Sequence, residues 1–167
     1  GREDFLAFDG IGEAKACLLM AVAEIAKRAY TQRRTASIQI ESPKQAADYV
    51  MQLLRYEKQE YVMMLHLDTR LHVLGKDVLF IGTLDQSMFS TRELFCSALK
   101  ARAAQVILFH NHPSGDPAPS EEDIKFTREL EQAAQLVGIR LIDHVIIGDH
   151  RYISFREQEL ISGKQEE

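Results

Sequence analysis

The apolar run Val106-Ile107-Leu108-Phe109 limits more than any other stretch what this chain can fold into. It offers no polar position for a solvated face, so the strand it forms, Gln105–Phe109, must be covered on both sides, as central strands of α/β sheets are. The strand delivers His110-Asn111-His112, breaks at Pro113-Ser114-Gly115, and resumes as a helix opening Ser120-Glu121-Glu122-Asp123. A site at the strand's carboxyl end is the expectation for such a sheet.

Side chains alternate along a strand, so His110 and His112 project to one side and Asn111 to the other. Two imidazoles converging on one point suit Zn²⁺, whose catalytic sites use three protein ligands and leave a position for water. Asp123 is the third ligand in this reading. Pro113, Pro117 and Pro119 stiffen the loop that brings the chain back to it. Ser120, one helical turn earlier, is placed to hydrogen-bond an oxyanion. Asn111 and Ser114 are assigned to fixing the turn. Each element also has a plainer reading. Ser120 and Asp123 resemble a capping box, the histidines could be partly buried side chains, and Asp116, Glu121 and Glu122 suit a solvated acidic helix start. Their coincidence in one stretch favours the metal.

His110-Asn111-His112-Pro113, six residues, then Ser120-x-x-Asp123 resembles the JAMM (MPN+) metalloprotease signature H-x-H-P-x6-S-x-x-D. The longer HNHPSGDPAPSEED, with Asp143-His144 downstream, is similar to the bacterial RadC family, whose members carry a "DNA repair protein" label. The resemblance spans Ser42 to Phe155. It implies a mixed β-sheet flanked by helices in a cytidine-deaminase-like JAMM/MPN architecture, and a zinc-dependent hydrolase of peptide or isopeptide bonds. It also implies a general base: the family's remote glutamate precedes the strand that here begins at Tyr61, and Glu60 matches it. On residues alone Glu60 is an exposed strand-end acid, and Glu57 competes with it. The expected mechanism has His110, His112 and Asp123 holding Zn²⁺, Glu60 moving the proton, and Ser120 steadying the oxyanion. Asp143-His144 is a candidate outer partner of the ligands, with a purely structural role equally open.

Rival classes fare worse. HNH nucleases distribute those letters over a different fold. A zinc deaminase would need H-x-E with P-C-x-x-C, which Cys17 and Cys96 cannot supply. The remaining alternative is a DNA-repair-associated or DNA-binding accessory module whose metal is structural.

The N-terminal residues motivate that alternative. Phe8-Asp9-Gly10-Ile11-Gly12-Glu13-Ala14-Lys15-Ala16 resembles the hairpin and second helix of a helix-hairpin-helix DNA-binding motif, whose glycines bring backbone N–H groups to a phosphate. Only half of that motif is present, as in a truncated piece with Gly1 a cloning remnant. A Gly-x-Gly turn before an ordinary helix explains the residues too. Ala14, Leu18, Ala21, Val22, Ile25 and Ala29 give that helix an apolar stripe, and Lys27, Arg28, Arg33 and Arg34 could meet phosphates or simply be solvated. We therefore divide the chain into a helical segment, residues 1–35, and a JAMM/MPN-like domain, residues 42–161.

With 167 residues and 46% hydrophobic content, the chain suits one domain with an appendage. Its net charge of −5 gives no global attraction to nucleic acid or anionic membrane. No apolar run approaches the roughly 18 residues of a membrane helix, and no leader peptide is recognisable. Cys17 and Cys96 are expected as small buried hydrophobes in a reducing compartment, so a cytoplasmic protein is expected.

Ser42-Pro43-Lys44-Gln45 starts a helix with Ala46, Ala47, Val50, Leu53 and Leu54 buried, ending near Tyr56. Tyr61–Asp68 reads as a strand, paired with a second covering Leu71–Leu74 and Val78–Ile81, interrupted near Gly75. A capping box Ser90-x-x-Glu93 opens a helix through about Ala104, with Leu94, Phe95, Ala98 and Leu99 inward. The helix after Ser120 buries Phe126, Leu130, Ala133, Ala134 and Val137 and stops at Gly138. Strands Ile139–Ile147 and Tyr152-Ile153 flank a Gly148-Asp149 turn. His66 is expected as a strand residue, and His72 and His150 as solvated turn residues.

Overall fold

A computed structural model describes residues 5–35, 38–54, 57–82 and 91–161, with side chains of 27–35 excluded. Gly1, the side chains of Lys27, Arg28, Ala29, Arg33 and Arg34, the expected helix end near Tyr56, residues 83–90 including Ser90, and residues 162–167 lie outside the described residues. The chain divides into two units, Gly1–Ser37 and Ile38–Glu167.

In the first unit, helix α1 spans Glu13–Thr35 after a turn in which Gly10 takes φ 80°, a left-handed conformation that glycine tolerates. The Lys15 ammonium donates to the Gly10 carbonyl at 2.9 Å. On the apolar stripe Leu18, Val22 and Ile25 are exposed, and so is Cys17, which we expected inside.

In the second unit, helix α2 covers Pro43–Leu54, strand β1 Tyr61–Leu67, β2 Val73–Ile81, helix α3 Thr91–Lys100, β3 Gln105–Asn111, helix α4 Glu121–Val137, β4 Arg140–Ile147 and β5 Tyr152–Ser154. The five strands form one mixed sheet in the order β2-β1-β3-β4-β5, with β3 and β4 parallel and the other pairs antiparallel. This is the α/β sandwich that the apolar run in β3 demands. Parity along the strands assigns the two faces. Met63, Leu65, Leu67, Ile107 and Phe109 pack with Ala46, Ala47, Val50 and Leu54 of α2. Val62, Met64, Val106 and Leu108 pack with Leu94, Phe95 and Ala98 of α3 and with Leu130 and Ala134 of α4. Burial of these side chains stabilises the unit by about 1.5–3 kcal/mol for each large one.

Local signals act as sequence chemistry requires. Ser42 Oγ accepts the Gln45 amide at 3.2 Å, and Gln45 Oε1 accepts that of Glu41 at 2.8 Å. Gly138, with φ 69°, ends α4 in the left-handed form.

Several expectations need correction. Strand β2 runs unbroken through Gly75, which pairs with His66, because register shifts place the extra residues, Leu74 and Leu79, in bulges. Helix α3 stops at Lys100 rather than Ala104, since Arg102 turns left-handed at φ 54° and the Ala103 amide reaches back to the Ala98 carbonyl. Leu53, Leu99 and Val137 lie at the solvent edges of their helices and are exposed. Among the described residues, no helix is long and apolar enough to cross a membrane.

Candidate metal centre

Strand β3 ends with His110 on the α3/α4 face and Asn111 on the α2 face, and His112 follows on the same side as His110. The loop that carries His112 back toward α4 is seated on the turn after β4. The His112 amide donates to the Ile147 carbonyl at 3.0 Å, and the Asp149 amide donates to the Gly115 carbonyl at 2.9 Å. Gly148 is required at that approach, because a Cβ there would stand 2.5 Å from the Gly115 carbonyl oxygen and 2.7 Å from Pro117 Cδ. Ser114 Oγ accepts the Asp116 amide at 3.3 Å, so it does fix the turn.

At the other end of the loop, Ser120 caps α4. Its Oγ accepts the Asp123 amide at 3.1 Å, and its own amide donates to Asp123 Oδ2 at 2.8 Å, the reciprocal pair of a capping box. The Ser120 hydroxyl then donates its proton to the same Oδ2 at 2.7 Å. The cap therefore also aims a carboxylate.

The three side chains meet. His110 Nε2, His112 Nε2 and an Asp123 oxygen lie within 4.8 Å of one another. His110 Nε2 is 2.9 Å from His112 Nε2 and 3.3 Å from Asp123 Oδ1, while His112 Nε2 is 3.6 Å from Asp123 Oδ2. Tetrahedral ligands about 2.0–2.1 Å from a zinc ion stand about 3.3–3.4 Å apart, so these separations bracket what the ion needs. Two nitrogens and one carboxylate oxygen are also the donor set of a catalytic rather than a closed structural site. Exposure is graded across it: the side chains of His110, Asp123 and His112 are 2%, 10% and 17% accessible, so the open side faces solvent at His112.

The three groups are shifted in different directions. Burial drives His110 down to about 4, against the pull of Asp123, so its ring is neutral at pH 7. His112 is raised, first by its hydrogen bond to Asp123, then by the Asp116 carbonyl and the charge of Glu60, all working against burial. Burial alone would raise Asp123. The hydrogen bond from His112, the proximity of His110 and the two bonds from Ser120 outweigh it and hold the carboxyl well below its usual range.

Glu60 is half-buried at the foot of β1, near enough to His112 for its charge to be felt there, and its carbonyl accepts the Gly82 amide at 2.9 Å. Glu57 is engaged elsewhere, with the phenol of Tyr61. The pairing of Val62 with His110 explains the placement, since it sets the start of β1 beside the histidine end of β3.

Two partners were misjudged or missed from the sequence. Asn111 does not fix the turn. Its Oδ1 accepts the Tyr61 amide at 2.8 Å, and its Nδ2 donates to the Gln59 carbonyl at 3.1 Å and the Glu57 carbonyl at 3.5 Å, so it holds the segment that carries Glu60. Asp143 and His144 part company. Buried Asp143 accepts from the His144 and Arg156 amides and from Ser154 Oγ, whereas His144 Nε2 lies 2.7 Å from His110 Nδ1. Thr127 touches His144 from the far side, and only its spacing signals it: a polar residue four after Asp123, on the inward face of α4. His66, His72 and His150 lie apart from the cluster. His66 is buried against Asp77, His72 bonds Asp68, and His150 is exposed.

The RadC-like JAB domain profile matches residues 40–160. A UPF0758 protein of Bacillus mycoides strain KBAB4 is 40% identical over 156 residues, 93% of this chain and 69% of that protein. A UPF0758 protein of Clostridium kluyveri is 43% identical over 159 residues, 95% of this chain and 70% of that one. A chain with this α/β fold and this His/Asp cluster falls in the JAB/MPN class of domains. Within that class it belongs to the RadC-like JAB domain family.

Proposed function

We propose that the chain is a zinc-dependent hydrolase of peptide or isopeptide bonds. One observation carries the reading: His110, His112 and Asp123 bring their donor atoms within 4.8 Å of one another. A carboxylate, Glu60, lies close enough to bias the outermost imidazole. Zinc held by those three ligands would polarise the scissile carbonyl and lower the pKa of a water to about 7. Glu60 takes a proton from the attacking water and returns it to the leaving nitrogen. Ser120 donates to the oxyanion, and to do so it turns its hydroxyl away from Asp123. The carboxylate keeps the Ser120 amide as a partner when that happens. His110, the deepest and least accessible ligand, anchors the site, and His112 borders the side from which substrate enters. Two free cysteines suit a cytoplasmic setting for the reaction.

The test is direct. Purified chain loaded with zinc is assayed for metal content and for cleavage of linear peptides and Lys-linked isopeptides. A single zinc per chain and chelator-sensitive cleavage of one substrate class are expected. Folded, zinc-loaded protein that cleaves neither class overturns the reading.

A further inference from the structure

The deepest ligand, His110, makes its second contact with a buried histidine that the proposed mechanism does not use. His110 Nδ1 lies 2.7 Å from His144 Nε2, His144 Nδ1 lies 2.6 Å from Thr127 Oγ1, and Thr127 Oγ1 lies 2.6 Å from the main-chain carbonyl oxygen of Asp123. All three side chains are buried, so no solvent intervenes to relax the direction of these bonds.

That direction follows from the last link. A carbonyl oxygen can only accept, and a threonine hydroxyl has one proton to give. Thr127 therefore donates to Asp123 and must accept from His144, whose proton is then on Nδ1. The His144 ring is buried, with its two nitrogens against Thr127 and His110, and ionising an imidazole there would be costly, so the ring is neutral. Its Nε2 is consequently a lone pair and accepts from His110, whose proton lies on Nδ1. Run the other way, with Thr127 donating to His144, the relay would put a proton on His110 Nε2, facing the other ligands. We propose that Thr127 and His144 are positioning residues that form a one-way hydrogen-bond relay. Anchored on the Asp123 carbonyl, it fixes His110 with its proton on Nδ1 and its Nε2 lone pair toward the metal position. The proposal rests on reading His110 as a ligand. It adds that one residue serves the site twice, Asp123 through its carboxylate directly and through its carbonyl by way of His110.

The sheet is built to permit this. Leu141 pairs with Val106 and His144 with Leu108, so β4 spends three residues where β3 spends two. Without that bulge His144 would fall on the opposite face, away from His110. Phe155, stacked on the His144 ring with centroids 4.6 Å apart, holds its plane.

The experiment has two arms. Nitrogen-15 spectra of the histidine rings in metal-free protein read the tautomers, and the relay requires both His110 and His144 to be protonated on Nδ1. Competition against a chelator reads zinc affinity, with folding checked by thermal melting. Thr127→Val, nearly isosteric, is expected to weaken zinc binding about 10- to 100-fold, and Thr127→Ser to restore most of it. A metal-free spectrum with His144 protonated on Nε2 overturns the relay, as does wild-type zinc affinity in Thr127→Val. A wild-type chain that takes up no zinc would overturn the hydrolase reading instead, because the tautomers are read without metal.

Discussion

The Oδ1 atom of Asn111 accepts the Tyr61 amide proton at 2.8 Å, tying the residue between the two histidines to a strand start 50 positions earlier. Asn111 points away from the metal position, as strand alternation requires. Through its carboxamide it nevertheless ties the segment that carries Glu60 to the histidine end of β3.

Replacing Asn111 with Ala removes three hydrogen bonds and strands the Tyr61 amide in a partly buried setting, at about 1–3 kcal/mol. A displacement of the Glu60 segment by an ångström would slow the proton transfer about 100-fold. The expected result is a large fall in kcat with KM and zinc content little changed, measured by steady-state kinetics and metal analysis. Equal losses in zinc content and kcat would place the role of Asn111 in holding His110 and His112 instead.

Glu60→Gln keeps the shape of the side chain and removes its basicity. Retained zinc and an unchanged melting temperature are expected, with turnover reduced about 10²- to 10⁴-fold. Glu57→Gln is the matched control, since Glu57 faces the Tyr61 phenol, and it should keep nearly full activity. If the two variants exchange phenotypes, the general base has been assigned to the wrong acid.

Much of this site was legible because its determinants are local. Parity puts His110 and His112 on one side, and Ser120 with Asp123 obeys capping rules that need only a tetrapeptide. What could not be read depends on register between distant segments. The role of Asn111 requires knowing that Val62 faces His110, and His144 reaches the site only through a one-residue bulge in β4. The exposure of Leu18, Val22 and Ile25 on α1 was not legible for a related reason: periodicity defines a face and leaves its burial undetermined.

Glycine substitutions separate conformational from steric demands. At Gly138, φ 69° with nothing within 4 Å, alanine meets only the left-handed backbone penalty of about 1–2 kcal/mol. Gly148 has an ordinary φ but no room, since an added methyl would press on the Gly115 carbonyl and Pro117. Gly148→Ala must push the loop after His112 off the β4 turn. It should therefore weaken zinc binding as well as lower stability, whereas Gly138→Ala should lower stability alone. Chelator competition on both variants, alongside thermal melts, distinguishes the two effects.

Away from the metal, His66, Asp77 and Ser97 join β1, β2 and α3. Ser97 donates to Asp77 Oδ2, and His66 Nε2 lies 3.1 Å from both Asp77 Oδ2 and Ser97 Oγ. Asp77 is held below the ordinary carboxylate value, chiefly by the Ser97 bond and then by His66 and Lys100, which together outweigh partial burial. A carboxyl whose folded pKa is depressed stabilises the fold fully above its unfolded value, near pH 4, and that contribution disappears as pH falls through the lower folded value. The melting temperature of Asp77→Asn should therefore lie below wild type at pH 7 and converge on it as the pH is taken below about 4. Because the Asp77 side chain is 55% exposed, the neutral-pH gap should correspond to no more than about 1 kcal/mol. A gap that stays constant from neutral to acid would show that the carboxylate charge contributes nothing there, leaving the geometry of the Ser97 hydrogen bond as the source.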